Sequence, residues 1–193
     1  AWNSFHEESS RYQTLNNSVD RYDGYCVSIR KIMERKSDYK GIIGVVADII
    51  RVSKEYESAI ETALGGSISN IVTDNEQTAK SMIQFLKKNR FGRATFLPLT
   101  SIRGRRAENA DRICGEEGVI GLASDLIRVD SQFGHLADYL LGRVFIVDHI
   151  DHALALAKKY RYSLRIVTLE GESLNPGGSL SGGAYKNTGN LLG

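Results

Sequence analysis

The chain has 193 residues, enough for one domain or for two small lobes sharing a core. Hydrophobic residues make up 41% and charged residues 25%, an ordinary balance for a soluble globular protein, and no apolar run nears the roughly 20 residues that span a bilayer. The net charge of +2 neither demands nor excludes a nucleic-acid partner, because what matters is where the charges lie. Two distant cysteines, Cys26 and Cys114, exclude a disulfide framework and a Cys-x-x-Cys metal site, and they fit a reducing, cytoplasmic compartment.

The chain does not begin with Met and is expected to be part of something longer. Its first ten residues are polar and acidic, unlike a secretory leader. Phe5, Tyr12, Leu15, Val19, Tyr22, Cys26, Ile29 and Met33 fall on alternating three- and four-residue steps, with Glu8 filling one slot. That seam predicts a coiled-coil stub over 1–23 running into a domain helix near Tyr25 to Lys36. A seam needs a partner strand, and nothing else in the sequence has heptads.

From Gly41 the pattern becomes α/β. Gly41-Ile-Ile-Gly-Val-Val reads as a strand. Tyr56, Ala59, Ile60, Ala63 and Leu64 have helical spacing, and Gly65 stops that helix. Ile68 to Thr73 reads as a strand, and Asp74 as the N-cap of a helix carrying Ala79, Ile83 and Leu86. Ala94 to Leu97 is a strand that Pro98 ends. The same grammar then returns. Gly118-Val-Ile-Gly-Leu-Ala-Ser-Asp-Leu-Ile-Arg-Val follows Gly41-Ile-Ile-Gly-Val-Val-Ala-Asp-Ile-Ile-Arg-Val by 77 residues, with seven of twelve positions identical. After a small deletion, Ile71-Val-Thr-Asp74 aligns with Phe145-Ile-Val-Asp148, and Arg165 to Thr168 closes the second copy. The duplication predicts two similar lobes of mixed α/β structure, 24–99 and 118–186. Residues 100–117, with Arg103, Arg105, Arg106 and Arg112, read as an exposed basic connector.

The tail, Pro176-Gly-Gly-Ser-Leu-Ser-Gly-Gly-Ala-Tyr, has the composition of a flexible linker, but it carries Leu180, Ala184 and Tyr185 and follows a lobe directly. Glycine in a strand marks a bulge or the close approach of another backbone. Gly177, Gly178, Gly182 and Gly183 would let a second chain come very near.

At this tail the sequence resembles the hinge of SMC (structural maintenance of chromosomes) proteins. The resemblance rests on Leu180-Ser-Gly-Gly-Ala-Tyr-Lys with Asn190-Leu-Leu-Gly, on Gly41-Ile-Ile-Gly-Val-Val, and most specifically on Glu61-Thr-Ala-Leu-Gly-Gly with Asn70-Ile-Val and on Asn89-Arg-Phe-Gly-Arg-Ala-Thr-Phe-Leu-Pro-Leu. It covers roughly Tyr22 to Gly193. It implies a long arm folding back as an antiparallel coiled coil, with 1–23 incoming and 187–193 returning. It also implies two hinges joined as a two-fold ring, the glycine-rich segment forming part of the interface. The expected homodimer surface is therefore an edge strand with Gly177, Gly178, Leu180, Gly182, Gly183 and Tyr185. Hinges of this kind present basic residues near the arm junction, so DNA contact is expected at Arg30, Lys31, Arg35, Lys36, Lys40 and Lys186, in a nucleoid-associated cytoplasmic protein with no membrane partner. A solvated helix face is the plainer reading of those charges, and the connector arginines form a second patch.

No Gly-x-x-x-x-Gly-Lys-[Ser/Thr] loop occurs, so the ATPase that the resemblance implies for the full-length protein is not in this segment, and neither an enzymatic role nor a cofactor is expected of it. His149 and His152, beside Asp148 and Asp151, could be imagined as a metal site, but capping explains them better. His6 and His135 have no evident partners. Cys26 reads as a small hydrophobe on the seam, and Cys114 as a loop residue. Asp48 and Asp125 recur in both copies and suggest equivalent structural roles. The main alternative is a small duplicated α/β enzyme or ligand-binding domain, which would place a pocket with convergent polar groups between the lobes. A stand-alone DNA-binding protein would carry more positive charge.

Overall fold

The computed structural model describes residues 12–14 and 25–184. A short strand, β1 (Tyr12–Thr14), precedes helix α1 (Val27–Glu34), whose Ile29, Ile32 and Met33 turn one buried face inward. Lobe I continues with β2 (Ile42–Val45), the single-turn α2 (Val46–Ile49), β3 (Arg51–Ser53), α3 (Glu57–Leu64), β4 (Ile71–Thr73), α4 (Glu76–Asn89) and β5 (Phe96–Pro98). Helix α5 (Ala110–Cys114) lies in the connector. Lobe II contains β6 (Val119–Leu122), β7 (Ile127–Arg128), α6 (Gly134–Leu141), β8 (Val144–Val147), α7 (Ile150–Lys159) and β9 (Arg165–Thr168), then a hairpin of β10 (Ser173–Leu174) and β11 (Leu180–Ser181).

The two lobes have one topology. In lobe I, β2 pairs antiparallel with β4, and β4 pairs parallel with β5. In lobe II, β6 pairs antiparallel with β8, and β8 parallel with β9. The register shifts fall at Ile42/Gly44 in one and Val119/Gly121 in the other, 77 residues apart in both cases. The helix starts match as well. The Asp74 N–H donates to the Gly41 carbonyl, and its carboxylate accepts from the Asn75 N–H and the Thr78 hydroxyl. Asp148 does the same with Gly118, the His149 N–H and the His152 ring.

The lobes meet through β3 and β7, antiparallel, with Arg51 opposite Arg128 and Val52 opposite Ile127. Arg51 and Arg128 are equivalent positions of the repeat, so an approximate two-fold axis passes between them. Helix α3 packs against α6 across the same axis. The central core draws on both lobes: Ile50, Ile60 and Leu64 meet Leu136, Leu141 and Ile146. Each such side chain contributes about 1.5–3 kcal/mol on full burial. Smaller cores lie under α1 and α4 in lobe I and under α5 and α7 in lobe II.

Several expectations shift in detail. The heptad reading made Tyr12 helical, yet Tyr12–Thr14 pairs with Arg51–Ser53, completing the outer side of β3 with backbone hydrogen bonds. Phe5, Leu15, Val19 and Tyr22 lie outside the described residues, as do Tyr185, Lys186 and the returning segment 187–193. Cys26 is not on a buried seam; it sits exposed at the N-cap of α1, with Sγ 3.0 Å from the Ser28 hydroxyl, which lowers the thiol pKa. Cys114 ends α5 half-buried, and burial raises its pKa. The N-caps are Asn75 and His149, one residue beyond the aspartates. Ile83 points to solvent, and Met82 takes the core position instead. The connector is not a free strap: Ile102 and Ile113 are buried, and the Ala107 N–H bonds the Gly142 carbonyl at 2.7 Å.

Candidate functional site

The hairpin after β9 carries most of the expected interface. Strand β10 pairs with β9 (Leu174 opposite Ile166), and β11 pairs with β10 (Leu180 opposite Leu174). This makes β11 the outermost strand of a five-stranded sheet, its far edge unpaired among the described residues. Leu180, on that edge, is 57% exposed, the most exposed large apolar side chain among the described residues. An unpaired edge with an exposed leucine is a template for another strand.

The glycines there have two roles. Gly177 (φ +94°) and Gly178 (φ +102°) form the hairpin loop in backbone conformations that L side chains resist, and Gly183 (φ +126°) is similar. The Gly177 N–H bonds the Tyr162 carbonyl at 2.8 Å, and the Gly178 N–H bonds Asn175 at 3.0 Å. These glycines are thus required within the chain itself, a role that clearance for a second chain does not explain. At Gly182, a Cβ would come 3.1 Å from Cγ of Glu172.

The basic residues near the arm junction divide. Arg30, Lys36 and Lys40 are exposed. Lys31 reaches Glu34 at 3.7 Å and lies over the Phe91 ring at 5.3 Å. Arg35 is packed, its guanidinium 4.2 Å from the Phe85 ring centroid and 5.1 Å from that of Tyr39, with Nε buried and without a hydrogen-bond partner. Arg35 therefore serves packing more than presentation. The fold adds two cations that a reading of α1 alone misses. The Ser28 hydroxyl donates to the Arg93 carbonyl at 2.7 Å, which brings Arg90-Phe-Gly-Arg93 beside α1 with both arginines exposed. The signal was present in the Asn89-Arg-Phe-Gly-Arg motif.

The connector arginines also divide. Arg106 donates to both carboxylate oxygens of Asp125, at 2.8 and 2.7 Å, and contacts Asp138 at 3.4 Å. This bidentate pairing lowers the Asp125 pKa and ties the connector to lobe II. Arg103, Arg105 and Arg112 remain exposed. His135 has a partner after all: its Nε2 lies 2.9 Å from the Leu99 carbonyl.

Donor atoms of Asp148, His149 and His152 lie within 4.8 Å of one another, with the imidazoles stacked at 4.0 Å and Glu117 3.4 Å from His152 Nε2. Lobe I closes the same turn with Thr78 in place of His152, which accounts for the Asp148–His152 bond as a helix-start latch. A cleft of about 1400 Å³ lies against the connector and lobe II rather than between the lobes, where the enzyme alternative would have put it.

Duplicated α/β lobes related by a pseudo-two-fold axis and ending in a glycine-turned edge hairpin define the class. Residues 39–157 match the family model for the SMC proteins flexible hinge domain, and the chain belongs to that family. It is 39% identical over 194 residues to the chromosome partition protein Smc of Bacillus subtilis and 41% identical over 192 residues to that of Desulfitobacterium hafniense, covering 100% and 97% of this chain. It spans only 16% of each of those relatives. The crystal structure of an asymmetric dimer of the Geobacillus stearothermophilus SMC hinge domain is similar at a TM-score of 0.80 and 35% identity, covering 95% of this chain and 72% of that one. Among the described residues no helix is long and apolar enough to cross a membrane.

Proposed function

We propose that this segment is the dimerisation hinge of a chromosome-organising SMC ATPase, joining two molecules at the apex of their coiled-coil arms. The observation that carries the reading is the outer edge of β11, unpaired among the described residues, with Leu180 exposed on it. Pairing such edges across a two-fold axis satisfies backbone donors and acceptors in both chains. The Geobacillus relative, solved as a dimer, supports the same reading. Among the described residues lobe I also has an unpaired edge, at β5, where Pro98 lacks an N–H and is tolerated because no outer neighbour needs one. In this reading the residues ahead of β1 and residues 187–193 lead into the two arms, the ATPase lies elsewhere in the full-length protein, and the protein works on the nucleoid in the cytoplasm.

Sedimentation of the fragment tests the interface. The wild type is expected to run at twice its chain mass, and Leu180→Lys as a folded monomer. A monomeric wild type at high concentration, or a dimer unaffected by Leu180→Lys, overturns it.

DNA contact is the second part of the reading, at Arg30, Lys36 and Lys40, with Lys31, Arg90 and Arg93 beside them. Affinity should fall steeply with salt. Charge reversal of Arg30 and Lys36 should weaken binding and flatten that slope, while Arg35→Ala acts mainly on stability. Salt-independent binding counts against the surface.

A further inference from the structure

We propose that the cleft between the connector and lobe II is a second nucleic-acid site, which takes the backbone of a single strand. Its volume of about 1400 Å³ exceeds the ~300–1,000 Å³ of a small-ligand pocket, which suits an extended polymer better than a metabolite. Ile113, Leu140, Phe145 and Leu164 contribute apolar lining. Four arginines from three different segments converge on it: Arg103 and Arg105 from the connector, Arg143 from the turn after α6, and Arg165 at the start of β9. A fifth, Arg106, is neutralised by Asp125 and Asp138. Among the described residues Glu108 is the only carboxylate in the lining. Among the described residues none of the four arginines has a carboxylate within ion-pairing distance.

Arg165 is the most telling of them. It is half-buried, and among the described residues its guanidinium makes one hydrogen bond, a long one of 3.4 Å from Nη2 to the Thr62 carbonyl. A guanidinium partly withdrawn from water without a counter-ion is costly alone, and an anionic group beside it relieves that cost. Tyr139, 46% exposed where it lines the cleft, offers a ring face for stacking. A rigid duplex would rest on the exposed arginines at the rim. A single strand can enter, bring a phosphate to Arg165 and lay a base on Tyr139. An acidic peptide would satisfy the arginines and leave the ring unused.

The inference shares its class of partner with the DNA-contact reading above, but it stands on residues of the other lobe, so the two fail separately. The experiment titrates the fragment with a fluorescent oligothymidylate of about twenty nucleotides, and with a duplex of equal length, across about 50–200 mM salt. Arg103→Glu/Arg143→Glu changes two exposed side chains. It should weaken single-strand binding about tenfold or more, lower the salt slope by about one to two, and affect the duplex far less. Tyr139→Ala should weaken the single strand about fivefold or more without changing the slope. If the cleft variants bind like the wild type while Arg30→Glu/Lys36→Glu loses binding, the cleft is not a site and the α1 surface stands. Tighter, cleft-dependent binding of a polyglutamate peptide overturns the assigned occupant. Absence of any oligonucleotide binding overturns both.

Discussion

Gly65 and Gly142 occupy one slot of the repeat, directly after helices α3 and α6, for different physical reasons. Gly65 has φ +54° with open space around it, so its cost of substitution is conformational alone. Gly142 has an ordinary backbone, but a Cβ there would collide with the Arg105 carbonyl of the crossing connector. Gly65→Ala should cost about 1 kcal/mol. Gly142→Ala should cost more, about 1–3 kcal/mol, because rigid backbone must move. Denaturant titration of the two variants checks the order. His152 is a second residue whose meaning comes from the repeat. The Asp148 bond raises its pKa, with Glu117 adding to the effect, while the same bond lowers that of Asp148. A folded state that holds the proton more tightly is favoured below the ordinary imidazole value near 6.5 and loses that advantage as pH rises through the higher folded value. The Asp148 contribution runs the other way, present above about 3.8 and lost in acid. As pH rises above about 6.5, the wild type should therefore lose stability relative to His152→Thr, which copies Thr78. Equal pH dependence of the two melting curves would contradict the latch.

At the scale of elements, the hairpin β10–β11 shows why composition misleads. Glycine pairs read as clearance for a partner, but Gly177 and Gly178 first make the loop that brings Leu180 back beside Leu174. Replacing both by Ala should therefore unravel the hairpin and weaken the dimer indirectly. Amide exchange would rise at Leu174 and Leu180 together. Gly182→Ala, which presses only on the movable Glu172 side chain, should leave the hairpin protected. Dimer loss with an intact hairpin in the Gly177/Gly178 variant would restore the clearance reading. Helix α4 offers a smaller case of the same lesson. Ala79, Met82 and Leu86 follow one helical stripe, while Ile83 lies just off it and is exposed.

For the whole molecule, the shared core matters most. Because α3 and α6 bury their apolar faces against one another, neither lobe has a complete core alone. Calorimetry should give one cooperative transition. Leu136→Ala, at a fully buried site in α6, should lower it as a unit, with a loss of about 2–5 kcal/mol. Two separated transitions would mean the lobes are independent.

Much of this was legible in the sequence. The register of Gly41 with Gly118, carried through Asp48/Asp125 and Arg51/Arg128, anticipated two lobes of one topology, and the strand from Arg165 to Thr168 fell where expected. The pairing of Arg51 with Arg128 was not legible, because strand pairing is a long-range backbone choice that periodicity does not encode. Nor was the fate of each charge. Arg35, Arg106 and Arg165 look alike in sequence. One stacks on aromatic rings, one is clamped by two aspartates, and one lines a cleft with no counter-ion among the described residues. Local pattern determined the repeat and most of the elements, since these follow from backbone preferences and hydrophobic spacing, while the resemblance of particular motifs pointed to the family. The tertiary structure alone decided which arginines are spent inside the fold and which edge is left open, since both depend on what distant segments place beside them.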